Sequence, residues 1–152
     1  MKGKHVWTLT VASASIFALA GCGTHLASLP LAPVTGHAAH GGAASQGVAL
    51  YFGDQPHPRV RREIAEVASN ARVMRAPSDD AMLMCNQAMA MALHKLRSEA
   101  RSLGANALVN VSTSFHRRAR QPAGAKASYT CAMSRNAVAM RVQGRAVVID
   151  SK

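Results

Sequence analysis

"SDDAMLMCNQAMAMALHKLRSEARSLGANALVNV", Ser78 to Val111, decides the fold, because within it the apolar period changes from that of a helix to that of a strand. Ser78 suits an N-cap, Asp79 and Asp80 fall in a first turn where the macrodipole favours negative charge, and Gly104 marks a stop. Met82, Cys85, Met89, Leu93, Leu96, Ala100 and Leu103 recur at spacings of three and four, so one stripe faces a core. Lys95, Arg97, Ser98, Glu99 and Arg101 fall on the polar side.

After Gly104 the period becomes two. Ala107, Val109, Val111, Thr113 and Phe115 alternate with Asn110, Ser112 and Ser114. "NAVAMRVQGRAVVI", Asn136 to Ile149, alternates likewise, and Gly144 within it marks a bulge or a close backbone approach. Upstream, "VALYF" (Val48 to Phe52) suits a strand and "GDQPHP" a turn. "VRREIAEVASNARVMRA" is ambiguous: its alanines and charges favour a short helical start, while Ala71 to Arg75 could be an edge strand pairing with the first. The expected architecture is a small two-layer α+β domain, one main amphipathic helix on a mostly antiparallel sheet of about four strands.

The chain opens differently. Lys2 and Lys4 precede an uncharged run from Val6 to Ala20, too short and too rich in Ser and Thr for a membrane span of about 20 apolar residues. A charged start followed by an apolar run is the layout of a secretory signal. The run ends in "LAGC", Leu19 to Cys22, which resembles the bacterial lipobox. That resemblance implies cleavage before Cys22 and acylation of its thiol. Gly23 in place of Asp implies sorting to the outer membrane, with the domain on the periplasmic face. Two or three acyl chains hold a protein firmly on a membrane, since each buried CH₂ contributes about 0.8 kcal/mol. The expected organisation is a signal peptide at 1–21, the acylated cysteine and a flexible Ala/Gly/Pro/Ser-rich tether at 22–46, and one domain at 47–150.

Composition narrows the function. The chain of 152 residues carries 18 Lys+Arg against 7 Asp+Glu, a net charge of +11, or +9 without Lys2 and Lys4. Such a balance suits nucleic acid, but an exported, lipid-anchored protein does not meet the genome, and no nucleic-acid partner is expected. The basic surface suits anionic lipid head groups or simple solvation. Its densest stretches are Arg59, Arg61 and Arg62, and the loop bearing His116, Arg117, Arg118, Arg120 and Lys126, an expected interaction surface. With Cys22 acylated, Cys85 and Cys131 form an even pair in an oxidising compartment, which reads as a disulfide. If the last strand ran regularly from Tyr129, Cys131 would face away from Val138, so a bulge or bend near Ser134 to Asn136 is required.

"LRSEARSLGANALVNV", Leu96 to Val111, resembles the helix-to-strand junction of the YbjQ-like and RcsF-like domains, which share an A-x-x-x-G-A-[ND]-A-[VL]-V pattern. "GVALYFGDQPHPRV" is similar to a group of bacterial envelope proteins often labelled "excinuclease ATPase subunit", in which a helix cysteine and one before the last strand match Cys85 and Cys131. The chain has no G-x-x-x-x-G-K-[ST] loop and no CxxC zinc spacing, so ATP hydrolysis and DNA-damage recognition have no residues to carry them. The RcsF-like resemblance implies a module for envelope-stress sensing with a periplasmic or outer-membrane protein partner.

Catalysis finds no motif: neither G-x-S-x-G, nor H-E-x-x-H, nor paired carboxylates. No enzymatic activity and no cofactor are expected. The alternative is soft-metal binding by the Met/Cys/His-rich helix, with Met84, Met91 and His94 as Cu(I) ligands. Methionine as adaptable core filler accounts for the same residues.

Overall fold

A computed structural model of the chain describes residues 23–31, 47–113 and 128–150. Six strands and one helix are found among them: β1 His25–Pro30, β2 Ala49–Phe52, β3 Val60–Met74, α1 Ala81–Ser102, β4 Ala107–Thr113, β5 Ser128–Met133 and β6 Ala137–Ile149. All six strands join one sheet, in the order β1-β5-β6-β4-β2, with β3 paired to β6. The fold remains α+β, but the expected sheet of about four strands is overturned by a larger, curled one.

β6 is the hub. β3 follows it in antiparallel register from Val60↔Ile149 to Met74↔Ala137. β5 pairs with its start, Met133↔Val138, and β4 with its second half, Ala107↔Val147 to Thr113↔Val142. β2 is the parallel exception, aligned with β4 because β3 and α1 intervene in the chain. The helix crosses β3 and β6 and covers one face of the sheet.

Two elements differ from expectation. Val60–Met74 is one strand of 15 residues that pairs with β6 and not with β2. From Glu66 onward its burial alternates: Val67, Ser69 and Ala71 are buried while Glu66, Ala68, Asn70 and Arg72 are exposed. The inward residues are small, so their hydrophobic signal is weak, yet smallness is what lets α1 approach through Ala88 and Ala92. The inward Ser69 hydroxyl donates to the Ala92 carbonyl at 2.6 Å, which satisfies it inside the core. His25–Pro30 is a strand on β5, within the stretch expected to be tether, and it buries Leu29; the adjoining Leu31 is buried too. Its backbone pairing replaces the missing apolar period, and Pro30 is tolerated because β1 is an edge. The bulge or bend expected near Ser134 to Asn136 is a hairpin turn: Ser134 N–H donates to Ala137 O at 2.8 Å, and the chain reverses between β5 and β6. This reversal puts Cys131 on the core side together with Val138.

The helix is capped by Asp80, not Ser78. The Asp80 carboxylate accepts from Met82 N–H at 2.8 Å and Leu83 N–H at 3.4 Å, while Asp79 accepts from Ala76 N–H at 2.7 Å. At the other end Gly104, with φ 80°, donates to Arg101 O at 2.9 Å and Ala105 to Ala100 O at 3.0 Å. This is a Schellman closure, which needs the left-handed residue glycine supplies.

The core has two parts. The larger lies under α1 and includes Cys85, Met89, Leu93, Leu96, Leu108, Val111, Val138, Met140 and Val142. A smaller one on the other face gathers Ala107, Val109, Val147 and Ile149 with Tyr51 and Val60. β4 serves both by alternation, Ala107 and Val109 to one side and Leu108 to the other, and its register shift between Val109 and Ser112 brings Val111 to the side of Leu108. Asn110 takes a left-handed φ of 53° at this shift, and Val111 stands against Gly144. A Cβ on Gly144 would lie 3.2 Å from Val111 Cγ2 and 3.4 Å from Val109 O, so the expected close approach is met by a bulge in the neighbouring strand.

Candidate functional site

The most densely cross-linked part of the molecule is where α1 meets β5. Cys85 and Cys131 form a disulfide with Cα atoms 6.1 Å apart, across 46 residues of chain, and both are wholly buried. One position further along the helix, Asn86 Oδ1 accepts a hydrogen bond from the Tyr129 hydroxyl. Tyr129 is buried, and burial pushes its phenol up to about 12. Between these, Thr130 N–H donates to Thr113 Oγ1 at 2.8 Å, joining β5 to the end of β4. The junction is inert towards nucleophilic chemistry: the sulfurs are bonded to one another and the phenol is held neutral and hydrogen-bonded.

Two arginines carry unusual burial. Arg97 was expected on the polar side of α1, but it is 7 % exposed, with a buried Nε that has no hydrogen-bond partner. Burial lowers its pKa below the ordinary value. Neither ion pair among the described residues, Arg61 with Asp150 or Glu63 with Arg145, includes it. Arg75 is half-buried at the end of β3. Its Nη2 donates to Asp79 O at 2.9 Å and its Nη1 to Ser134 O at 3.3 Å, so one side chain ties the β3–α1 turn to the β5–β6 hairpin.

The residues expected to bind copper are dispersed along the helix. Met84 is half-buried and packs against the core, whereas Met91 and His94 are exposed. Met84 and Met91 are two turns apart, about 10 Å of helical rise, so the three do not converge on one ion. Among the described residues no group of three or more His, Cys, Asp or Glu comes together. The lipobox cysteine, Cys22, and the basic loop bearing His116, Arg117, Arg118, Arg120 and Lys126 lie outside the described residues.

A feature that periodicity did not reveal is an apolar end. Met82 was expected on the buried stripe, but it is 54 % exposed, and its neighbour Leu83 is 59 % exposed. Both occupy the first turn of α1, and Met74, at the end of β3 that leads into the helix, is 66 % exposed. The β5–β6 turn and the start of β1, where Leu26 is 50 % exposed, complete the same end. Leu103, the last of the expected stripe, is also exposed, at the far end of the helix. The stripe overshoots the sheet at both ends.

No family model and no curated protein matches the chain. Among solved structures, it is similar to the crystal structure of a protein of unknown function of the DUF74 family from Pediococcus pentosaceus. The two share 15% identity, the match covers 68% of this chain and 96% of that one, and the TM-score is 0.46. A likeness of that size carries no argument about function. No helix among the described residues is long and apolar enough to cross a membrane.

Proposed function

We propose that this chain is an exported lipoprotein, anchored in the outer membrane through acyl chains on Cys22, whose domain is a non-enzymatic interaction module of the periplasmic face. The observation that carries the reading is the buried Cys85–Cys131 disulfide. Such bonds persist in oxidising compartments and are rare in the cytosol, and the signal ending in "LAGC" supplies a route to one.

The domain suits binding more than chemistry. Its polar groups are largely spent on structure: Asp79 and Asp80 on backbone N–H groups, Glu63 and Asp150 on arginines, and Tyr129 on Asn86. The surfaces left for a partner among the described residues are the exposed side of α1 and the apolar end, and the basic stretch from His116 to Lys126 is a further candidate on sequence alone. Envelope-stress sensing is the role implied by the RcsF-like resemblance, with a periplasmic or outer-membrane protein as partner.

Two measurements test the reading. Cys22→Ser should move the protein from the outer-membrane fraction to a soluble or inner-membrane one; unchanged fractionation contradicts the anchor. Crosslinking in living cells, followed by mass spectrometry, should capture one specific envelope protein with the wild type and lose it in a Cys85→Ser, Cys131→Ser variant. Capture of nothing specific by either contradicts the interaction role.

A further inference from the structure

We propose that the apolar end of the domain, formed by Leu26, Met74, Met82 and Leu83, seats directly on the lipid surface in which Cys22 is anchored. The inference rests on the acylation of Cys22 and adds the orientation of the domain on the membrane.

The first argument is reach. β1 begins at His25, three residues after Cys22, so at most about 10 Å of extended chain separates the acylated residue from the sheet. The stretch expected to hold the domain away from the membrane is, at its start, part of the domain. His25 pairs with Met133 at the β5–β6 turn, Met133 with Val138, and the start of β6 pairs with Met74 and Val73 of β3. Four strands in sequence, each about 4.8 Å from the next, put the start of β1 and Met74 on one end of the sheet, roughly 14 Å apart. A domain tethered so closely cannot turn this end away from the bilayer.

The second argument is chemistry. Of the six large hydrophobic residues exposed among the described residues, four belong to this end: Leu26, Met74, Met82 and Leu83. Leu26 and Met74 leave the sheet on the face away from α1, and Met82 and Leu83 lie on α1 itself, so this end presents apolar side chains from both layers, a liability in water and an asset at an interface. The charges around it are compatible with lipid. Asp79 and Asp80 have their carboxylates turned onto backbone N–H groups. Arg75 is spent on the Asp79 and Ser134 carbonyls, and the exposed Arg135 of the β5–β6 turn is placed to meet lipid phosphate. His25, exposed at the start of β1, faces the same level. Acyl chains supply the binding, and the apolar end fixes the orientation, which leaves the far end of α1, near Ser102, pointing into the periplasm.

The chain contains one tryptophan, Trp7, in the segment removed with the signal peptide, so a tryptophan placed by substitution reports alone. Full-length acylated protein carrying Leu83→Trp, Met74→Trp or Ser102→Trp would be reconstituted into phosphatidylethanolamine/phosphatidylglycerol vesicles with brominated acyl chains, after its mass has shown the acyl groups. The expected result is at least a twofold loss of emission for Leu83→Trp and Met74→Trp, relative to unbrominated vesicles, and none for Ser102→Trp. Acylated, vesicle-bound protein in which all three positions are equally unquenched overturns the docking and leaves the anchor standing. A blue shift at position 83 that grows with protein density and ignores bromine overturns it in favour of a second copy of the chain. A mature mass without acyl groups overturns the anchor itself, and the docking with it.

Discussion

Tyr129 donates its hydroxyl to Asn86, one residue beyond Cys85 on the helix and two before Cys131 on the strand, so the disulfide and this hydrogen bond staple the same two elements side by side. β5 meets the rest of the sheet over a short length: it pairs with β6 at Ala132↔Ala139 and Met133↔Val138, and Thr130 N–H donates to Thr113 of β4. The staple therefore decides whether β5, and β1 beyond it, stay on the sheet.

Removing the disulfide should be costly. Closing a separation of 46 residues contributes about 4 kcal/mol in the chain-entropy account. Cys85→Ala with Cys131→Ala should lower the denaturation midpoint by a corresponding amount, and amide exchange should rise first in His25–Pro30 and Ser128–Met133. Uniform loss of protection across the sheet would contradict a local role for the staple.

Tyr129 makes stability depend on alkaline pH. Its pKa is raised from 10.0 to about 12 by burial, so the folded state holds its proton where the unfolded state gives it up. Its contribution is whole below pH 10 and is lost as pH rises towards 12. Unfolding measured between pH 9 and 12 should show stability falling across that window, and Tyr129→Phe should flatten the fall while costing about 1 kcal/mol at neutral pH.

The helix, the strand after it and the hairpin bend could be read from residues because each carries a strong local signal: Gly104 ends one period and Ala107 begins another. β3 could not. Its inward positions include Ser69 and Ala71, chosen to fit beneath Ala88 and Ala92, and small residues register poorly on any hydrophobic scale. β1 was hidden for another reason: an edge strand of six residues owes its form to β5, which lies a hundred residues along the chain. At the candidate site, the cysteine pair was legible from number and compartment. Arg97 and the apolar end were not, since a period of 3.6 says which side chains share a face but not how far the sheet beneath extends.

Arg97 is a charge kept in the fold at a cost. It is 7 % exposed and its buried Nε is unpartnered. Replacing it by Met, of similar length and apolar, should raise stability by about 1 to 2 kcal/mol. A loss of similar size in chemical denaturation would show that the guanidinium is satisfied and stabilising.

The β4 bulge makes two positions sensitive, Asn110 through its backbone and Gly144 through its contact with Val111. Asn110→Gly should be close to neutral, whereas Asn110→Val, which places a β-branched residue at φ 53°, should cost about 1 to 2 kcal/mol. Gly144→Val should also destabilise, by about 1 to 3 kcal/mol through overpacking against Val111. Part of that cost should return in a Val111→Ala background; a double-mutant cycle with no coupling would contradict the contact.

Copper should not distinguish the helix. With Met84 turned to the core and about 10 Å of rise from Met91, a Met84→Leu, Met91→Leu variant should titrate with Cu(I) as the wild type does. Loss of one equivalent of tight binding would restore the metal reading.

The central claim is that the domain is held on a membrane by Cys22 and closed by Cys85–Cys131. Intact-mass spectrometry of the protein extracted in detergent from its own envelope tests it most directly. The account predicts a chain that begins at Cys22, carries two or three acyl groups, and gains two mass units on reduction. A chain that retains residues 1–21, or begins at Cys22 without acyl groups, or shows no change on reduction, would contradict it.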